Sequence, residues 1–189
     1  MEFEIADNFF VEGGARYTQT NRTGASCGRA SSQPVADLFE VLQQAFKGPG
    51  NFVPLTVGDC YTLDANFNPA LDVKDLNEDN VSWRGGLKWN APNGSLLYAN
   101  VSKGFKAGSI PAYSAATTNE LVPIPQESLL AYEAGFKNIF GSDVLQFNGA
   151  FFYYDYTDKQ LFGLVTDPIF GLIQKLVSIP ESRVIGAEF

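Results

Sequence analysis

The chain has 189 residues, 45% of them hydrophobic and 18% charged, and with 16 Phe and 8 Tyr it is too apolar and too aromatic to be disordered. Its formal charge of −8 argues against nucleic acid as a partner, because phosphate binding needs a clustered basic surface. It contains no His, which excludes the common zinc sites and every His-based triad. No stretch reaches the roughly 18–20 uninterrupted apolar residues of a spanning helix, yet the near-zero mean hydropathy is also what alternating barrel strands produce.

Met1 to Ile5 reads as the end of a strand. It has neither the basic start nor the apolar run of a signal peptide, so a barrel reading takes the chain as a fragment that begins mid-structure. Phe9 to Thr18 alternates: Phe9, Val11, Gly13, Ala15 and Tyr17 against Glu12, Gly14, Arg16 and Thr18. A helix is expected next, opened by Pro34, with Leu38, Val41, Leu42, Ala45 and Phe46 at helical spacing and Lys47 and Gly48-Pro49 closing it. Val81 to Asn90 sets Val81, Trp83, Gly85, Leu87 and Trp89 against Ser82, Arg84, Gly86, Lys88 and Asn90. Leu96 to Phe105 opposes Leu97, Ala99 and Val101 to Tyr98, Asn100 and Ser102. Leu130 to Phe140 places Leu130, Tyr132, Ala134, Phe136 and Phe140 opposite Glu133, Gly135 and Lys137. Val144 to Tyr156 opposes Leu145, Phe147, Phe151 and Tyr153 to Gln146, Asn148 and Ala150, and Arg183 to Phe189 starts another strand.

Tight turns at Ala6–Asn8, Ala91–Ser95 and Gly141–Asp143 alternate with long connections at about Asn21–Asn80, Ala107–Ser128 and Thr157–Ser182. In an up-and-down sheet that puts every tight turn at one end and every long loop at the other, the asymmetry of outer-membrane barrels. The strands, at about 10–13 residues, fit a tilted membrane crossing better than a globular sheet. The apolar face carries Trp83 and Trp89 near opposite ends of one strand and no charge in its middle, as a lipid-facing wall with aromatic girdles requires. A soluble or surface-attached β-sheet binding protein explains the two faces but not the connections.

Leu97-Tyr98-Ala99-Asn100-Val101-Ser102-Lys103-Gly104-Phe105-Lys106-Ala107-Gly108 resembles the barrel portion of TonB-dependent receptors. Pro125-Gln126-Glu127 with Ala131-Tyr132-Glu133-Ala134-Gly135-Phe136-Lys137 is similar to a family strand. So are Asn148 to Tyr156 and Ser182 to Glu188, and the four occur in the family's order. The resemblance covers Val81–Phe189 firmly and Met1–Asn80 weakly. It implies an all-β fold: an antiparallel up-and-down transmembrane β-barrel segment of about six to seven strands, open as it stands and cut from a barrel of roughly 22 strands with a plugged lumen. It also implies a bacterial outer-membrane location and a non-enzymatic role in energised uptake of a siderophore, cobalamin or oligosaccharide. The implied partners are the lipid bilayer and, in the full-length receptor, a plug domain, TonB and an extracellular ligand. Residues 1–189 are then one partial barrel domain, and no cofactor or metal is expected.

On that reading Glu12, Arg16, Arg84, Lys88, Asn100, Glu133, Lys137, Gln146 and Asn148 face the lumen. They are candidates for plug or substrate contact, though cross-strand ion pairing in a wet interior is the commoner role. Cys27 and Cys60 fall in one outer loop, where oxidation is permitted. They form either two free thiols or a structural disulfide, which would stabilise by roughly 3–4 kcal/mol in the chain-entropy model. Asp72, Asp75, Glu78 and Asp79 lack the Asp-x-Asp-x-Asp-Gly calcium pattern and read as a solvated loop face. Asp155 and Asp158 sit where strand meets loop, with no pocket signal for paired catalytic carboxylates.

Overall fold

The computed structural model describes residues 1–140, 145–167 and 169–189. Seven strands form one antiparallel sheet in sequential order: β1 Glu2–Ala6, β2 Phe9–Ser26, β3 Asp72–Asn90, β4 Leu96–Lys106, β5 Glu127–Phe140, β6 Leu145–Asp167 and β7 Gly171–Glu188. The one α-helix among the described residues, α1, spans Gln33–Lys47.

Register assigns the faces. Ala15 pairs Trp83, Gly85 pairs Val101, Val101 pairs Tyr132, and Tyr132 pairs Tyr153, which pairs Ile185. One face is thus a continuous apolar surface running from Phe9 and Trp89 to Tyr17 and Val81. Its first charges in the direction of the long connections are Asp79, Lys103, Asp155 and Arg183. Among the described residues no second protein layer covers it: Trp83, Leu87, Leu97, Tyr132, Phe147, Phe151 and Ile185 are all exposed. The opposite, polar face carries Glu12, Arg84, Lys88, Asn100 and Glu133. There aromatic rings lie over glycines of neighbouring strands: Tyr98 over Gly135 and Phe152 over Gly186, each where a Cβ would collide with the ring.

At the turn end, β1 joins β2 through Asp7 and Asn8, with Asn8 at φ 61°. β3 joins β4 through a turn in which Gly94 adopts φ 85° and donates to the Ala91 carbonyl. The turn expected over 141–143, and Val144 as a strand start, lie outside the described residues. The loop end differs from expectation in extent. β2 runs on to Ser26 and β3 starts at Asp72, so residues expected in the long connection pair as strand, Thr23 opposite Asp75 and Ser26 opposite Asp72. The connection expected over Thr157–Ser182 is no loop: Lys159–Asp167 pairs with Gly171–Ile179 as the top of the β6–β7 hairpin. The reason is physical. Above an apolar belt both faces meet water or loop, so the period-2 pattern disappears while backbone pairing continues.

Among the described residues the buried hydrophobic core lies beyond the loop end. In α1, Ala36, Phe39 and Gln43 are buried at i, i+3 and i+7, Pro34 sits in the first turn, and Gly48 at φ 97° ends the helix with an N–H bond to the Gln44 carbonyl. Phe39 stacks on Tyr61 at 4.2 Å between ring centroids, and Phe170 at the hairpin tip lies 6.2 Å from Phe39. Buried Gln43 is satisfied by both backbone groups of Val53, at 2.8 and 3.2 Å.

A face that meets lipid rejects charge. Ala134→Arg on the apolar face is expected to lower unfolding free energy in lipid vesicles by about 2–4 kcal/mol, whereas Ala131→Arg, three residues earlier on the polar face of the same strand, changes it by about 0.5 kcal/mol or less. Urea titration of the two variants measures the difference.

Candidate functional site

Two surfaces are built to meet partners: the polar face of the sheet and the loop module at its end. On the polar face Arg84 reaches across to Glu12 at 2.9 Å and Lys88 to Glu2 at 3.0 Å. Lys88 also lies 4.9 Å above the Phe10 ring. These pairs are part-exposed and contribute little to stability, about 0–1 kcal/mol each. Their consequence is that the charges compensate each other across strands. Asn100, Glu133 and Lys137, with Tyr98, Ser102 and Tyr154, join them around a concavity of about 560 Å³ over β3, β4 and β5. Arg16 lies on the same face opposite Ser82. Gln146 donates to Asn148 at 3.1 Å near the turn end. The nine candidate residues therefore share one face, and six of them border one concavity. Glu2 was missed, because a five-residue strand shows too little alternation to reveal a partner.

The loop module joins three connections. Cys27 and Cys60 are disulfide-bonded, with Cα atoms 5.6 Å apart. Immediately after, the Gly28 N–H donates to the Thr62 hydroxyl, and that hydroxyl donates to the Ala115 carbonyl, both at 2.8 Å. Gly28 lies under the Tyr61 ring, where a Cβ cannot fit. Leu63 then pairs with the β4–β5 connection through Ala116 and Thr118. That connection is in turn clamped to the strand tops. Arg22 donates to the Gly108 carbonyl, Glu78 accepts the Gly108 N–H, and buried Gln160 donates to the Ala107 and Pro125 carbonyls. None of these clamps was legible as a site, because each is a single polar side chain answering a backbone group.

The acidic run does not converge. Asp72 pairs with Lys74 at 3.1 Å, Asp75 accepts from Thr23, and Glu78 holds Gly108. Among the described residues no group of three or more acidic, His or Cys side chains is placed to hold a metal. Asp155 pairs with Arg183 at 3.4 Å while Asp158 accepts from Ser178, so the two carboxyls do not act together.

An open antiparallel sheet with an apolar belt on its outer face, one polar face and its long connections at a single end defines a segment of outer-membrane β-barrel wall. More particularly, residues 1–189 match the family model described as TonB dependent receptor-like, beta-barrel, and the chain belongs to that family. Such barrels sit in the bacterial outer membrane, and the family's members are transporters, not enzymes. Among solved structures the chain is similar to a double mutant of the Serratia marcescens hemophore receptor HasR in complex with its hemophore HasA and heme. The identity is 14% and the TM-score 0.48, and the match covers 95% of this chain and 28% of that one. No curated protein matches the sequence. The chain thus spans under a third of the length of that receptor.

Replacing Cys27 and Cys60 by Ser is expected to raise protease cleavage within 28–59 while leaving the strands protected, as limited proteolysis with mass mapping would show.

Proposed function

We propose that this chain is one part of the wall and outer loops of a receptor for energised, TonB-driven uptake of a scarce ligand, of the siderophore, cobalamin or oligosaccharide class. The observation that carries the reading is the uncovered outer face. Exposed Trp, Phe, Leu and Ile side chains form a belt free of charge, and every long connection rises beyond one edge of it. In water such a face drives aggregation; in a bilayer it is the solvated state. On this reading the polar face, with Glu12, Arg16, Arg84, Lys88, Asn100, Glu133, Lys137, Gln146 and Asn148, lines the lumen and meets a plug domain, and the disulfide-closed module contributes to the outer surface that a ligand meets. Within the wall Arg84 is paired with Glu12 and Lys88 with Glu2, so those charges offer a plug little to anchor on.

The second reading is a soluble or surface-attached β-sheet binding protein. It needs a covering layer for the Trp83 and Trp89 face, and no described segment supplies one. Fractionation separates the two. The receptor is expected in the outer membrane, resistant to carbonate extraction, and recovery in the soluble fraction would sink the proposal. The 189-residue segment alone, in liposomes, is expected to give no selective uptake, because its edge strands β1 and β7 leave backbone groups unpaired in lipid.

A further inference from the structure

Asp167 closes β6 at the hairpin tip and is 4% exposed. One carboxylate oxygen, Oδ1, accepts the N–H groups of Ile169 and Phe170, both at 2.7 Å, and so builds the turn. The other, Oδ2, is buried without a donor. The carboxyl of Glu120, the last residue of the 3-10 turn Thr118–Glu120 in the β4–β5 connection, is within hydrogen-bonding reach of the Asp167 carboxyl. Glu120 is itself fixed: Oε1 accepts the Thr117 N–H at 3.0 Å and the Thr117 hydroxyl at 2.8 Å. Two ionised carboxylates offer only acceptors to each other, so a hydrogen bond between them requires a proton on one.

We propose that Glu120 and Asp167 share one proton and form a pH-sensitive latch between the β4–β5 connection and the β6–β7 hairpin. The proton resides on Glu120. Burial pushes that carboxyl above its usual range and the Asp167 contact pushes it further, against the opposing pull of the Thr117 donors. Burial works against the charge on Asp167, but the Phe170 and Ile169 N–H groups, the Glu120 contact and the Lys175 ammonium of β7 outweigh it and hold its carboxyl below the usual range. Tyr113 also borders the pair: its hydroxyl donates to the Glu120 carbonyl and stands 3.5 Å from Lys175 Nζ. Leu121, next in sequence, is fully buried, as is Ala116, which bonds Leu63. Release of the latch therefore loosens the junction of all three connections.

The sign follows from linkage. An acid that holds its proton more tightly in the closed state favours closure at low pH and loses that bias as pH rises through its raised pKa. Hydrogen exchange of the intact receptor in lipid nanodiscs, corrected for intrinsic rates, reads this in peptides spanning 113–121. From about pH 4, below the ordinary glutamate pKa, to about pH 8, protection is expected to fall at least about fivefold, the lower end for linked equilibria. Glu120→Gln gives Asp167 a permanent amide donor and is expected to hold the acid-level protection throughout. Asp167→Asn reverses the donor and is expected to do the same. Infrared spectra provide a readout independent of loop order: a protonated-carboxyl band at acid pH, lost in Glu120→Gln. Flat wild-type protection, an equal fall in both variants, or no such band would each overturn the latch.

Discussion

Among the described residues the sheet has no protein core of its own, and everything else follows from what must replace one. Its seven strands satisfy each other's backbone groups, but their apolar face lies bare over its whole width. Hydrophobic burial normally drives a sheet to pack against a second layer. Here the covering layer is hydrocarbon, which demands that the face carry no charge across about 9–11 residues of strand. Val81 to Trp89 and Leu145 to Tyr153 meet that demand, and charge returns beyond them at Asp79 and Asp155.

Where the belt ends, the rules of construction change. Water returns to both faces, and stability passes from lipid to local devices. The β2–β3 ribbon continues on paired backbone with Thr23 bonded to Asp75. The connections then bury a small core of their own around Phe39, Tyr61 and Leu63, beside the Cys27–Cys60 bond. So small a core needs staples, and the disulfide and the single-residue clamps Arg22, Glu78 and Gln160 supply them. The module is thereby an ordered surface rather than a set of free loops, which suits recognition, because less conformational entropy is lost when a partner binds.

Much of this was legible in the sequence, and the boundary of legibility is physical. The lipid-facing register was readable because hydrocarbon imposes a strict alternation: Trp83 and Trp89 share a face with Phe9, Ala15 and Leu97. Helix α1 was readable from Pro34 and Lys47, but its buried face was not: Leu38, Val41 and Phe46 of the expected stripe are exposed, while Ala36, Phe39 and Gln43 are buried. Nor were the strand extensions. Gln19 to Ser26 is polar on both faces, and Leu161 to Val165 is almost wholly apolar, so neither run alternates even though both pair. The family resemblance rested on Val81–Phe189, while the family match extends over the whole chain. The Glu120 and Asp167 contact was hidden entirely, since it joins two connections that only the folded module brings together.

The chain's only two tryptophans, Trp83 and Trp89, offer the most direct test of the account. In bilayers containing brominated lipids, with Trp83→Phe and Trp89→Phe variants to assign each signal, both indoles should be quenched most by bromine near the headgroups and only weakly by aqueous iodide. Indoles that ignore the brominated lipid and yield to iodide alone would contradict a lipid-facing wall.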